Sequence, residues 1–160
     1  MSDTPTTHLI RVHLERREPP RRTAHLEITG TDIAFGTPGW QGAHYGFPPG
    51  TAEEDPGTLD YLVASVAGCL IGTFGGALKA RGIDSHGDAL VADAAGEVVV
   101  DPDGVLRLRA IDVRYTLKGC PGDKRDAAER ANRVHVGSCP NARSVAAAID
   151  ITTSLDFADG

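Results

Sequence analysis

The sequence predicts a mixed fold in which blocks of strands and helices follow one another in the order strands, helix, strands, helices, strand. Three observations carry this. The stretch Tyr61 to Leu78 has no charged residue and places large apolar residues every fourth position, a spacing that suits a helix face and not a strand. Ile10, Val12 and Leu14 alternate with Arg11 and His13, and Ala24, Leu26 and Ile28 alternate with His25 and Glu27, which is a strand period. Alternation resumes from Val98 to Leu117 around the turn Asp101-Pro102-Asp103-Gly104.

The first two alternating runs predict an amino-terminal hairpin whose turn holds Pro19 and Pro20. Arg16, Arg17, Arg21 and Arg22 flank that turn and read as a solvated basic patch. From Gly36 to Gly57 the chain is rich in glycine and proline and includes Trp40, His44, Tyr45 and Phe47. It reads as a long irregular loop, a kind of segment that is often functional inside a compact domain.

The central helix follows. Leu62, Val66, Leu70, Phe74 and Leu78 form one large apolar ridge; Ala64, Gly68, Gly72 and Gly76 form a small row beside it; Ser65, Cys69, Thr73 and Ala77 form a third. Each glycine costs up to about 1 kcal/mol of helix propensity relative to alanine, so tight packing must offset them. An uncharged run of this length lies near the lower limit for spanning a bilayer. The glycines dilute its hydrophobicity and no lysine or arginine cluster marks a flank, so it reads as a soluble core helix. A helix apolar on nearly every face has to be covered on every face. A second copy of the chain is the economical cover, which predicts a homodimer with this helix at or near the subunit interface; the alternative is a helix covered only by its own sheet.

Arg81-Gly82 supplies a basic last turn and a glycine stop. Strands resume near Ala89, and Val98 to Val100 with Val105 to Leu117 form a second hairpin. Leu106, Leu108 and Ala110 share one parity while Ile111, Val113, Tyr115 and Leu117 share the other, which predicts a bulge near Ala110. Asp123 to Val136 reads as an amphipathic helix with Ala127, Ala131 and Val134 on its apolar side and the pairs Asp126/Arg130 and Glu129/Arg133 at favourable spacing. It stops at Gly137. In Ser138-Cys139-Pro140 the proline suits a first helical position and puts Cys139 at or beside the cap of a short helix through Ala147. A last strand runs from Ile149 to Phe157, no internal repeat is visible, and residues 1–160 read as one domain.

Composition is that of a soluble intracellular chain: 24% charged, 41% apolar, net charge -6, with nothing resembling a secretory leader in MSDTPTTH. The negative balance opposes phosphate, so neither nucleic acid nor a membrane is an expected partner. Three cysteines in such a chain point to reduced thiols in the cytoplasm rather than a disulfide framework. A helix start favours the thiolate of Cys139, whereas burial among Val66, Leu70 and Phe74 would raise the pKa of Cys69 unless a cation or hydrogen-bond donor acts on it. Cys120, in the turn Gly119-Cys120-Pro121, reads as an incidental exposed thiol. His135 and Cys139 lie four apart, but Gly137 and Pro140 break the helix that would align them, and no CxxC accompanies them. Neither a metal nor a cofactor is expected.

Three segments, LDYLVASVAGCL from Leu59 to Leu70, GSCPNARSV from Gly137 to Val145 and ITTSL from Ile151 to Leu155, resemble the OsmC/Ohr family of osmotically inducible and organic hydroperoxide resistance proteins. The resemblance implies an α+β fold of antiparallel sheets packed around two long central helices, an intertwined homodimer with active sites at the interface, and thiol peroxidase chemistry. By motif, Cys69 is similar to the family's peroxidatic cysteine and Cys139 to its resolving cysteine. A thiolate attacking the O–O bond of an organic hydroperoxide gives a sulfenic acid and an alcohol, and a second thiol converts the sulfenic acid to a disulfide. The implied reductant is a small or protein-bound dithiol, lipoylated proteins among them. The hydroperoxide-reductase branch starts its helix with a glutamate ten residues before the cysteine; here Leu59 stands there and Asp60 follows. That branch also carries an arginine in its amino-terminal strands, whereas the loop before the helix here offers His44 and Tyr45. Asp60, His44 and Tyr45 are therefore the supporting candidates. The alternative function is a non-catalytic stress-response protein that binds an apolar small molecule in the dimer cleft.

Overall fold

The computed structural model describes residues 6–159. The described chain divides into two compact units between Thr58 and Leu59.

The first unit is an antiparallel meander of β1 (Val12–Arg16), β2 (Arg22–Leu26) and β3 (Thr31–Phe35). The expected hairpin is β1–β2, with Val12 opposite Leu26 and Leu14 opposite Ala24. Its turn closes through Arg17 N–H to the Arg21 carbonyl at 3.0 Å, and Arg21 also pairs with Glu54, so part of the basic patch is neutralised locally. The sequence reading missed β3, because Thr31 and Asp32 open it with polar residues on an exposed strand. Gly30, at φ +66°, makes the tight turn into it. The segment 36–57 is irregular as expected except for one short helix, α1 (Gly39–His44), entered through Pro38. Gly36 lets this segment fold back on itself: a Cβ there would lie 2.2 Å from the Ala52 carbonyl oxygen and 2.6 Å from that of Asp55.

The second unit begins with the 22-residue α2 (Thr58–Lys79). Val66, Leu70, Phe74 and Leu78 are at most 1% exposed, so the large ridge is the face turned to the core. Gly82, at φ +65°, ends the helix, and Ile83 N–H returns to the Leu78 carbonyl at 3.1 Å. A sheet in the order β4–β5–β6 covers the ridge: β4 (Leu90–Val100), β5 (Leu106–Lys118) and β6 (Asp150–Ala158). β4 and β5 are antiparallel. Glu97 pairs with Ala110 while Val98 pairs with Leu108, so Arg109 is the extra residue of the bulge expected near Ala110. The bulge lets Leu108 on one side of it and Ile111, Val113, Tyr115 and Leu117 on the other all face inward.

Two features depart from the implied layout. β6 runs parallel to β5, with Ile151 beside Ile111 and Leu155 beside Tyr115, so this sheet is not wholly antiparallel. A parallel return needs a long crossover, and α3 (Arg125–His135) with α4 (Pro140–Val145) supplies it. The second helix is also shorter than implied, because α3 holds 11 residues with single 3-10 turns at Gly122–Lys124 and Val136–Ser138. Its buried face is Ala128, Ala131 and His135; Ala127 is half-buried and Val134 is 61% exposed, so the face is rotated by about one residue from that expected.

Candidate functional site

Cys69 lies on the flank of α2, on the third row and beside the buried ridge, and it is half-buried. The expected enclosure by Val66, Leu70 and Phe74 is incomplete, since those three side chains point into the core while Cys69 sits at its margin. Thr73 Oγ1 donates to the Cys69 carbonyl at 2.9 Å. Cys139 caps α4: its Sγ accepts from Ala142 N–H at 3.5 Å, and Pro140 opens the helix.

The two thiols lie close enough for the Cys69 thiol to act on that of Cys139, and both are free. Asn141 holds them there. Its Nδ2 donates to Ser65 Oγ at 2.8 Å and to the Ser65 carbonyl at 3.0 Å, which ties the first turn of α4 to α2 one turn before Cys69. The tether was not anticipated, although the CPNA string in which it lies was part of the motif.

The electrostatics reverse one expectation. Cys139 is fully buried, and burial pushes its thiol up. The Ala142 and Asn141 N–H groups pull it down, while the Cys69 thiol pushes it further up. Desolvation therefore outweighs the helix start, and Cys139 rests as a thiol. Cys120 reverses another: it is 9% exposed, not an exposed thiol, because the turn folds it into the core, and burial again raises its pKa.

Beside Cys139 lies a buried polar pair that the sequence reading did not find. Tyr115 of β5 and His135 of α3 join through Oη and Nε2 at 2.9 Å. His135 Nδ1 sits 2.8 Å from the Asn132 carbonyl. A carbonyl only accepts, so Nδ1 carries the ring proton and Nε2 accepts from the Tyr115 hydroxyl. Phe74 packs against both rings, with centroids 4.7 Å from Tyr115 and 4.9 Å from His135. Burial lowers the His135 pKa, and burial followed by the charge of a Cys139 thiolate raises that of Tyr115. Both are neutral. The spacing of His135 and Cys139 was visible in the sequence, but the partner Tyr115 lies 20 residues away in a strand.

Asp60 occupies the exposed first turn of α2, where the helix dipole favours an acid. His44 and Tyr45 belong to the first unit, at the end of α1, with their rings edge to face at 5.0 Å and Tyr45 57% exposed.

A family model described as OsmC-like protein matches residues 50–154, a span that includes both thiols, the Asn141 tether and most of the closing strand. The chain belongs to the OsmC-like family. No curated protein matches it. Solved structures similar to this OsmC-like protein include an OsmC-like protein from Mycoplasma pneumoniae, at 16% identity and TM-score 0.73 over 95% of this chain and 99% of that one. Others are an organic hydroperoxide resistance protein OsmC from Legionella pneumophila (10% identity, TM-score 0.68, 95% and 99% covered) and the organic hydroperoxide resistance protein OhrB of Bacillus subtilis (14%, 0.66, 93% and 98%). At such identities the likeness establishes the fold, and the OsmC-like α+β architecture is that of this chain.

Proposed function

We propose that this protein is a thiol peroxidase that reduces organic hydroperoxides through a Cys69 sulfenic acid and a Cys69–Cys139 disulfide. The observation that carries the reading is the meeting of two reduced thiols from separate elements, held by the Asn141–Ser65 tether. Family membership and the hydroperoxide-resistance names of the similar structures support a redox or stress role. Cys69 is the more accessible of the two and makes the attack; Cys139, buried and protonated at rest, resolves.

The reading includes a cytoplasmic location, a dithiol reductant of the lipoylated kind and a homodimer. For the dimer the support is local. Within the second unit a Cβ at Gly68, Gly72 or Gly76 would meet nothing within 4 Å, and Ala64 is exposed on the same row. Of the two covers open to α2, its own sheet takes the large ridge and the flank at Val63, and leaves the row of Ala64, Gly68, Gly72 and Gly76.

Counting free thiols after adding an alkyl hydroperoxide to the reduced protein tests the reaction. The parent loses two thiols rapidly, Cys139→Ser accumulates a sulfenic acid on Cys69, and Cys69→Ser reacts little. Unchanged thiols in the parent would overturn the reading. A second reading, a non-catalytic protein binding an apolar small molecule, is favoured by one observation: the loop before the central helix offers His44 and Tyr45 but no arginine to activate Cys69. It predicts that same absence of thiol loss.

A further inference from the structure

The short helix that begins at Cys139 has little of its own to hold it. α4 is six residues long, below the length at which a helix persists by itself, so its place depends on what it touches. Its apolar anchor is small: Ala142 is 1% exposed, and Val145 packs half-buried against the core. Arg143 N–H returns to the Cys139 carbonyl at 3.0 Å, Ser144 Oγ donates to the Pro140 carbonyl at 2.8 Å, and Ala142 N–H meets Cys139 Sγ at 3.5 Å, all within the helix and its cap. The Asn141 amide reaches further. Its Nδ2 crosses to α2 and is shared between Ser65 Oγ at 2.8 Å and the Ser65 carbonyl at 3.0 Å.

That carbonyl is the one to which a regular helix bonds the N–H four residues on, which is the N–H of Cys69. Asn141 therefore grips the peptide unit one hydrogen bond away from Cys69, and its neighbour Ala142 donates to the sulfur of Cys139. A continuous line of hydrogen bonds runs from one cysteine to the other through this one residue.

We propose that Asn141 is the positioning residue for closure of the Cys69–Cys139 disulfide. The inference rests on the proposed redox couple and assigns it a regulator. A Cys69 sulfenic acid has two fates. Attack by Cys139 forms the S–S bond as the S–O bond breaks, and the oxygen leaves with its hydrogen and the thiol proton as water. Reaction with a second hydroperoxide breaks that molecule's O–O bond, leaves one of its oxygens on the Cys69 sulfur as a sulfinic acid and releases an alcohol. The first step is intramolecular, so its rate follows the share of time that α4 is docked on α2. The second follows peroxide concentration. Asn141 thus sets the peroxide concentration at which the protein begins to inactivate itself.

The test separates the two thiol steps. Reduced protein in a Cys120→Ser background is mixed with Ellman's reagent. Cys69, the more accessible thiol, releases one thionitrobenzoate as it takes up the other half of the reagent, and Cys139 releases the second when it displaces that half and closes the disulfide. Asn141→Ala should leave the first release at the parent's rate and slow the second about tenfold, the loss expected of one neutral side chain that makes two hydrogen bonds. Ser65→Ala keeps the carbonyl leg and should slow the second release less. Adding it to Asn141→Ala should change nothing further, because both act through one contact. Under excess alkyl hydroperoxide, Asn141→Ala should collect about tenfold more Cys69 sulfinic acid per turnover, read by mass mapping.

A second release at the parent's rate in Asn141→Ala would overturn the proposal. So would equal slowing of both releases, the mark of a general structural defect, and so would a parent that never releases the second equivalent. Ser65→Ala keeps the test readable if Asn141→Ala fails to fold. A parent that closes its disulfide with this dependence on Asn141 yet leaves alkyl hydroperoxide untouched would sink the peroxidase reading and leave the positioning role standing.

Discussion

His135 makes the stability of the fold depend on pH. Its folded pKa lies below the ordinary histidine value of about 6.5. Below that pH the unfolded chain binds a proton that the folded chain refuses, so the stability present above about pH 6.5 is lost as pH falls toward the depressed folded value. Urea unfolding should show this acid loss, and His135→Gln should flatten it. Cys139 acts at the other end, since its folded pKa is raised. Above about pH 8.5 the unfolded thiol ionises first, and stability falls as pH rises; Cys139→Ser should remove that limb. Both thiols could be read from the sequence because their types and motifs are local. The imidazole was not assigned to the core, because an unpaired histidine is costly to bury and its phenol partner arrives from another element. With a three- or four-residue period, Ala127/Ala131/Val134 and Ala128/Ala131/His135 fit an apolar face almost equally, and only the Tyr115 hydrogen bond decides.

At the scale of elements, α2 and β5 set the geometry and two contacts measure it. Phe74 is fully buried between Leu70, Tyr115 and His135, so Phe74→Ala should cost about 3–5 kcal/mol in urea unfolding. Gly96 lets α2 approach β4: a Cβ there would stand 2.5 Å from Val63 Cγ2 and 2.9 Å from Leu108 Cδ1. Gly96→Val should destabilise by about 1–3 kcal/mol through overpacking, read in the same unfolding experiment. Patterning made α2, the β4–β5 hairpin and its bulge legible, since each obeys a period within one segment. The parallel pairing of β6 is a tertiary choice that alternation in β6 alone does not encode. β3 and α1 were invisible for a different reason. Both are short, and Asp32 and Gly39 have low propensity for the elements they open.

For the whole molecule, the open question of cover becomes a measurement. A helix with mean hydropathy of 1.7 over its apolar window has 22% of that window buried within its own chain. The large ridge is accounted for and the small row is not. A second copy laid on Ala64, Gly68, Gly72 and Gly76 predicts a dimer by sedimentation equilibrium, and Gly72→Leu, which has room in one chain, should shift it toward monomer. A parent that stays monomeric would leave that row without its proposed partner.

The central claim is that the sulfur of α2 and the sulfur capping α4 act as one redox couple. Its most direct measurement is mass mapping of the protein after one equivalent of alkyl hydroperoxide, with free thiols blocked. The account predicts a single new crosslink, between the peptides bearing Cys69 and Cys139, with Cys120 still alkylated. Unlinked peptides, or a crosslink through Cys120, would contradict it.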